Sequence, residues 1–146
     1  MSEEQIKGAI RGLLKSLMAG DVTKALSLMT EDAVWVTPQG TFKGASAIKS
    51  YLTWISQVVK DYKITETGIG IIVQGNTGVI EHNLAGTTDG MKWEVLGMCI
   101  YEFKNDKIEN LRTVYDRLAQ AKQAAKGVIA KRAVTSVVNA TEKGLH

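Results

Sequence analysis

Four long segments of β character fill the second half of the chain, and they restrict its possible folds more than any other feature. Tight turns separate them at Gly75-Asn76, Asp89-Gly90 and Asn105-Asp106, and Asp-Gly is a strong hairpin signal. The four segments are Tyr62–Gln74, Gly78–Thr88, Met91–Lys104 and Lys107–Asp116. This spacing predicts an antiparallel meander that ends at Tyr115-Asp116.

The predicted strands are longer than the usual five or six residues, so we expect the sheet to bend. Four glycines lie inside the strands, where bulges and bends are expected: Gly68, Gly70, Gly86 and Gly97. A bent antiparallel sheet that wraps around a helix forms a cone. One side of such a cone is a packed core, and its open end can hold an apolar ligand.

Three helical segments precede the meander. Ser2-Glu3-Glu4-Gln5 is a capping box, and apolar residues follow at helical spacing until Gly20 ends the first helix. Asp21 is a suitable N-cap for a second, shorter helix, and a third helix follows Gly44. A short strand is predicted at Ala33–Thr37. The predicted fold class is therefore α+β: a cone-shaped roll of a strongly curved antiparallel sheet packed around N-terminal helices.

The composition is that of one soluble globular domain, with 146 residues of which 45% are hydrophobic and 23% charged. The single cysteine, Cys99, excludes an internal disulfide and favours a reducing cytoplasm. It stands in an apolar run, which favours an inert buried thiol. Neither an export signal nor an apolar run near the ~20 residues of a membrane-spanning helix is visible. We expect a cytoplasmic protein that does not contact a membrane.

The positive charge is concentrated in the C-terminal tail. Residues 1–116 carry 12 Lys/Arg and 14 Asp/Glu, whereas residues 117–146 carry six and one. The tail is predicted to be helical, with a break near Gly127, and its apolar stripe favours packing on its own domain or on a partner subunit. A basic amphipathic helix can also contact an anionic surface, but no aromatic and basic face accompanies it, so we expect no nucleic-acid partner. The predicted domain is 1–118, with a basic helical extension at 119–146.

The segment Met91–Phe103 is apolar on both of its faces near the middle. One parity includes Trp93, Val95 and Cys99, and the other holds Leu96, Met98 and Ile100. A strand with water on one face alternates apolar with polar residues, so the second face of this strand also needs cover. A second copy of the same sheet is the simplest cover, and we predict a homodimer packed through the sheet face.

Three stretches of the chain are similar to a known superfamily. They are GDVTKALSLMTEDAVW from Gly20 to Trp35, Phe42-Lys43-Gly44 with Ala47-Ile48, and Tyr101–Ile108 followed by Val114-Tyr115-Asp116. Together with the order of the elements, these stretches resemble the nuclear-transport-factor-2-like superfamily, in its ketosteroid-isomerase-like and SnoaL-like branch, over about residues 3–120. This superfamily contains enzymes, binding proteins and dimerisation modules, so the fold does not settle the function.

The resemblance implies a different catalytic set for each branch. The base of the ketosteroid isomerases falls on Thr37, and residues 3–19 contain no Tyr, which argues against steroid isomerisation. Limonene-epoxide-hydrolase relatives use an Arg-x-Asp pair on the second long strand and an Asp that ends the last strand, which Asp116 matches. The pair falls on His82 and Leu84, or on Glu81 and Asn83 in a shifted register, so the water-activating triad is broken in either register.

The SnoaL-like polyketide cyclases use an Asp at the end of the last strand as acid/base, and Asp116 occupies that place. A carboxylate among apolar side chains loses hydration, so its pKa rises and it can exchange a proton near neutral pH. His82 shares an apolar parity with Ile80 and Leu84, and it is the candidate second catalytic residue, which would orient Asp116 or protonate a carbonyl oxygen. The alternative for His82 is a structural role, as a hydrogen-bonded histidine in the core or at an interface. The alternative for Asp116 is an ion pair with Arg112 or an N-cap of the tail helix.

The predicted pocket walls are aromatic and aliphatic: Trp35, Tyr51, Trp54, Leu84, Trp93, Met98 and Tyr101. No His and Cys cluster has metal-ligand spacing, and neither a phosphate loop nor a nucleophile motif is visible, so we expect no metal or cofactor. The sequence predicts a cofactor-free acid–base enzyme, a cyclase, isomerase or dehydratase that acts on a small hydrophobic carbonyl compound. The alternative is a non-catalytic domain of the same fold that binds a small apolar ligand or serves dimerisation.

Overall fold

The protein folds as one six-stranded sheet with helices on its concave face and after its last strand. The computed structural model describes residues 1–144. The helices are α1 (Glu3–Ala19), α2 (Val22–Ser27), α3 (Gly44–Val58), α4 (Arg117–Ala124) and α5 (Gly127–Thr141). The strands are β1 (Met29–Thr37), β2 (Gly40–Lys43), β3 (Lys60–Gln74), β4 (Thr77–Thr88), β5 (Met91–Lys104) and β6 (Lys107–Tyr115). The predicted α+β class with a strongly curved sheet is confirmed.

The strand order is β2-β1-β6-β5-β4-β3, and β3 to β6 form the predicted antiparallel meander. The sheet is nevertheless mixed, because β1 pairs with β6 in parallel. Strand β2 was not predicted. It forms a hairpin with β1 because Thr37 closes the turn, with its hydroxyl donating to the carbonyl of Gly40 at 3.1 Å and accepting from the amide of Gln39 at 3.1 Å.

The helix ends follow the predicted capping chemistry. The Ser2 hydroxyl accepts from the amide of Gln5, and the Gln5 side chain accepts from the amide of Ser2. Helix α1 then ends at Gly20, which adopts a left-handed conformation with φ 66°. Asp21 caps α2 by accepting from the amide of Lys24. The predicted tail helix is interrupted before Gly127, and Leu145 and His146 lie outside the described residues.

The strand glycines serve two different purposes. The pairing register shifts between Glu66 and Ile71, so Gly68 and Gly70 lie in a bulge as predicted. Gly86 lies opposite a second register shift of β3, between Lys60 and Lys63, whereas Gly97 lies where β5 pairs without a shift. Gly86 and Gly97 both admit a neighbouring side chain as well.

A Cβ at Gly86 would lie 2.5 Å from Cγ1 of Val59, and one at Gly97 would lie 3.0 Å from Cε1 of His82. Each contact is tighter than a Cβ normally makes, so only glycine fits without a shift of the neighbour.

The concave face is solidly packed at the end where β4 begins. Ile6 and Ile10 of α1 are fully buried there, directly over Gly78. A Cβ at Gly78 would lie 2.5 Å from Cδ1 of Ile10 and 3.2 Å from Cγ2 of Ile6. This close approach of helix to strand leaves no space for a ligand. We call this region the closed end.

The two C-terminal helices differ in how they pack. Helix α4 lies on β5, where Gln123 accepts from the amide of Glu94 at 2.8 Å and donates to its carbonyl at 2.9 Å. Helix α5 contacts α4 and leaves Val128 and Ile129 exposed. Within residues 1–144, no helix combines the length and apolarity needed to cross a bilayer.

Candidate functional site

A cavity of about 290 Å³ lies at the opposite end of the concave face, between the sheet, α3, α4 and the second half of α1. We call this region the open end. Six of the seven predicted wall residues line it: Trp35, Tyr51, Trp54, Leu84, Trp93 and Tyr101. Trp54 lies at the rim, 43% exposed, with its ring stacked on Tyr51 at a centroid distance of 6.0 Å. Aromatic and aliphatic side chains together therefore form most of the cavity lining.

Met98 does not line the cavity, and its prediction as a wall residue is wrong. It pairs with Glu81 on one side and Val114 on the other, on the convex face of the sheet, and is 42% exposed. Side chains alternate between the two faces of a strand, so Cys99 and Tyr101 face the concave side and Met98 faces away.

His82 lies in the cavity wall, where it is 1% exposed. Its Nε2 atom lies 3.2 Å from the Cys99 sulfur. Its Nδ1 atom is buried and has no hydrogen-bond partner within the described part of the chain. An unpaired buried polar atom costs about 1–3 kcal/mol, and because Nδ1 has almost no accessible surface, a ligand pairs with it only if the ring turns towards the cavity. Burial lowers the pKa of His82, and the imidazole is therefore neutral near pH 7.

A chain of hydrogen bonds holds the other ring nitrogen in place. Trp35 Nε1 donates to the Thr113 hydroxyl at 3.0 Å, and that hydroxyl lies 3.2 Å from the Cys99 sulfur. Burial raises the pKa of Cys99 to about 11, so the sulfur stays a thiol. This agrees with the predicted inert cysteine. The thiol serves to orient His82.

A second polar cluster joins three residues from the turn after β1, α3 and the end of β6. The Tyr51 hydroxyl donates to Gln39 Oε1 at 3.3 Å, and the Gln39 amide nitrogen donates to the Tyr115 hydroxyl oxygen. Burial raises the pKa of Tyr51 to about 12 and also raises the pKa of Tyr115, so both phenols keep their protons. Because the Tyr115 oxygen accepts from Gln39, its own proton remains available to a ligand.

Arg117 completes the polar lining next to this cluster. Its Nη1 atom donates to the carbonyl of Pro38 at 3.1 Å. Its positive charge acts on Tyr115, where it opposes the effect of burial on the pKa. Among the described lining residues there is no Asp or Glu. Nor do residues 1–144 contain a group of three or more His, Cys, Asp or Glu side chains placed to hold a metal ion.

Asp116 is not in the cavity lining, and the prediction that its carboxylate is held dry is wrong. The residue is exposed and is the N-cap of α4, where its carboxylate accepts from the amide of Ala119 at 2.9 Å. Thr113 and Tyr115 of β6 face the cavity, so the next residue turns away from it and starts the helix. The helix-cap alternative describes Asp116 correctly.

The sequence reasoning missed Gln39, Thr113, Tyr115 and Arg117. A usable signal existed for two of them, because Thr113 and Tyr115 share the parity of Leu111, which is a core residue. Gln39 and Arg117 lie outside the strands, so no periodicity points to them.

Solved structures with the same fold are numerous. A candidate polyketide cyclase from Silicibacter sp. TM1040 superposes with a TM-score of 0.76 at 15% identity, covering 86% of this chain and 99% of that one. An LEH-like epoxide hydrolase from M. tuberculosis superposes with a TM-score of 0.72 at 15% identity, covering 89% of this chain and 96% of that one. A protein with a ketosteroid isomerase-like fold from Catenulispora acidiphila DSM 44928, in complex with trimethylamine, gives 0.74 at 15% identity, covering 82% and 93%. At such low identity these structures establish the fold alone.

The family follows from the sequence itself. No curated protein matches the chain. The model of the SnoaL-like domain matches residues 10–111, which span most of the sheet and the helices that cover it. With a curved six-stranded sheet and a cavity at the open end of its concave face, the chain belongs to the SnoaL-like domain family.

Proposed function

We propose that this protein is a cofactor-free enzyme that binds a small, largely apolar carbonyl compound in the cavity and moves its protons through His82. The reaction class is cyclisation, isomerisation or dehydration. One observation carries the proposal: a neutral imidazole lies in an aromatic cavity wall, with Nδ1 buried and unpaired among the described residues. The names of structural neighbours, which include a candidate polyketide cyclase, agree with this class.

The sheet register favours a ligand between His82 and Tyr115. Gly97 of β5 pairs with His82 on one side and with Tyr115 on the other. Neighbouring strands lie about 4.8 Å apart, so the two backbones are about 10 Å apart. The His82 ring lies over Gly97, with Cε1 3.0 Å from the position that a Cβ would take there. A ligand that enters the cavity beside this ring meets the imidazole and, across β5, the phenol of Tyr115.

These groups suit proton transfer next to a carbonyl group. Neutral His82 accepts the α-proton, and the electron pair moves onto the carbonyl oxygen to form an enolate. The Tyr115 hydroxyl donates to this oxygen, and the Arg117 charge stabilises it. Return of the proton from His82 to another carbon completes an isomerisation. In a cyclisation the enolate carbon attacks a second carbonyl, and the proton on His82 passes to the alkoxide that forms. The aromatic walls limit the access of water during these steps.

The test measures proton exchange at the α-carbon of a simple aromatic ketone. With 2-tetralone in D₂O, we expect deuterium incorporation, followed by NMR, to be faster with the protein than in buffer. His82→Gln should lower this rate about 10²–10⁴-fold, because it removes the general base. Asp116→Asn is the control and should leave the rate unchanged. Exchange no faster than in buffer, or equal in His82→Gln, would remove the basis of the proposal.

A specific observation also favours a second function, non-catalytic binding of the same class of ligand. The described cavity lining has no carboxylate, so His82 has no acidic partner of the kind that many acid–base sites use. On this alternative, 2-tetralone quenches the fluorescence of Trp35 and Trp93, which line the cavity, but no deuterium exchange accompanies binding. The same titration therefore separates the two functions.

We also propose that the protein is a homodimer packed through the convex face of the sheet. Five large apolar side chains lie exposed on this face: Val36, Ile72, Leu96, Met98 and Val114. Native mass spectrometry should show a dimer, and Leu96→Lys should convert it to a monomer. Ile129→Lys on α5 is the matched control, since Ile129 is 86% exposed and lies on a different surface. A monomeric wild-type protein at micromolar concentration would contradict the proposal.

A further inference from the structure

The described cavity lining carries a positive charge and no negative charge. Arg117 is the single permanently charged residue in the described lining, and no carboxylate faces it there. A ligand that enters the cavity therefore meets a positive field near Tyr115 and Gln39. The field is not cancelled within the aromatic walls, which carry no charge.

Arg117 has unused hydrogen-bonding capacity. A guanidinium has five N–H donors, and one hydrogen bond, to the carbonyl of Pro38, is seen for this side chain. None of the ion pairs found in residues 1–144 includes Arg117. The adjacent carboxylate of Asp116 accepts from the amide of Ala119 instead. Arg117 is thus available to a carboxylate from outside the chain.

The neighbouring polar groups add a donor at the same place. The Tyr115 oxygen accepts from the Gln39 amide, so the hydroxyl hydrogen of Tyr115 is free to be donated to a further acceptor. The Gln39 carbonyl oxygen already accepts from Tyr51. This end of the cavity therefore offers a cation and a hydroxyl proton, and the amide oxygen of Gln39 is occupied.

We propose that the natural ligand is an organic anion, an aromatic or alicyclic acid whose carboxylate lies on Arg117 while its apolar body fills the cavity towards His82. This inference rests on the proposed binding function and adds the charge of the ligand to it. On this inference, Arg117 is the residue that selects for the negative charge of the ligand.

An aromatic cavity can also hold a quaternary ammonium ion through cation–π contacts, but this cavity is poorly arranged for one. The Tyr51 ring already stacks with Phe42 at a centroid distance of 4.2 Å and with Trp54 at 6.0 Å. The ring of Trp35 lies perpendicular to Tyr51, at 88°. Arg117 repels a cation as well, so the structure favours the anion.

The experiment compares three probes with a similar apolar body and different charge: 2-naphthoate, 2-naphthamide and the 2-naphthyltrimethylammonium ion. Binding is measured by isothermal titration calorimetry with the full-length protein at pH 7 and low salt. We expect 2-naphthoate to bind about five- to tenfold more tightly than the amide, as a charge-assisted contact near a surface provides, and the cation to bind most weakly. The preference should shrink as salt is added.

Three variants assign the preference to its residue. Arg117→Gln should reduce the ratio of acid to amide affinity to about one, and Arg117→Lys should retain part of it. Arg132→Gln on α5 removes the same charge from an exposed position outside the cavity and should leave the ratio unchanged.

Equal binding of acid and amide to the wild type, or an unchanged ratio in Arg117→Gln, would overturn the inference while leaving the binding function intact. Preferred binding of the ammonium ion would also overturn it. If none of the three probes binds, the proposed binding function fails, and the inference falls with it.

Discussion

The two ends of the concave face share a strand glycine that lies under a bulky side chain, yet one end is a packed core and the other holds a cavity. At each end a strand glycine admits a bulky side chain: Gly78 lies under Ile10, and Gly97 lies under His82. At the closed end the side chain comes from α1, so helix and sheet meet and the space is filled. At the open end the side chain over Gly97 comes from the neighbouring strand, so no helix is drawn down onto the sheet at that glycine.

The helix surfaces explain this difference. Helix α1 presents Ile6 and Ile10 to the sheet, whereas α4 presents Ala121 and Ala124 to the cavity. Methyl side chains do not fill the distance that isoleucine fills, so a space of about 290 Å³ remains. A strand glycine is therefore no sign of a pocket by itself. The size of the side chains opposite it decides between a core and a cavity.

The largest effect is expected at the closed end. Ile10→Ala should lower the free energy of unfolding by about 2–5 kcal/mol, because it leaves a void among fully buried side chains. Ala121→Leu is the counterpart at the open end and should change stability little, since it grows into existing space, while it abolishes the binding of aromatic ligands. Urea denaturation and ligand titration measure both effects. A loss below about 1 kcal/mol for Ile10→Ala would show that the closed end is not tightly packed.

A smaller effect is expected when a methyl group is added at the open end. Gly97→Ala would place a Cβ 3.0 Å from Cε1 of His82 and 3.2 Å from the backbone oxygen of Val114. We expect a loss of about 1–3 kcal/mol and a displaced imidazole, seen as a changed His82 signal in NMR. Gly68→Ala is the control because no atom lies within 4 Å of its Cβ position. Equal stability of the two variants would refute the close packing at Gly97.

The buried imidazole should make stability depend on pH. Burial lowers the pKa of His82 below its ordinary 6.5 in the folded protein, so the unfolded chain binds this proton more readily. The contribution of neutral His82 to stability is complete above about pH 6.5 and declines as the pH falls from there towards the folded pKa. Urea denaturation at pH 7.5 and 5.5 should show this decline in the wild type, and His82→Gln should show less of it. An equal decline in both proteins would mean that His82 is not the group responsible.

The smallest effect is expected at Asp116, outside both ends. Asp116→Ala should cost about 1 kcal/mol because α4 loses its cap, whereas Asp116→Asn should cost a few tenths at most, since Asn caps as well as Asp. Thermal or urea unfolding measures the difference. A large loss of ligand binding or of proton exchange in Asp116→Asn would make the Asp116 carboxylate a candidate catalytic group again. It would also contradict the proposal that His82 alone moves the proton.

The sequence was most informative about features that depend on residues close together along the chain. Hairpin turns, capping residues and strand alternation involve neighbours along the chain, so the meander, the ends of α1 and the start of α2 were predicted. The same alternation, applied consistently, places Met98 on the convex face and Tyr115 on the concave face. The error at Met98 came from treating an apolar residue as a wall residue regardless of its parity.

The site itself required distances between elements that no local pattern encodes. The parallel pairing of β1 with β6 brings the turn that carries Gln39 to the end of β6, where Gln39 meets Tyr115. Whether Asp116 faces the cavity or caps a helix depended on where β6 ends, and boundaries of elements are set by tertiary packing as much as by propensity.

By itself, the sequence determined the order of the elements, the bend of the sheet and the aromatic character of one of its faces, because these depend on residue type and spacing along the chain. Only the tertiary structure decided which end of that face is filled, which nitrogen of His82 is left unpaired and which charged residue borders the cavity. Those features depend on side chains from distant elements meeting in space, and the size of one alanine against one isoleucine is enough to change the outcome.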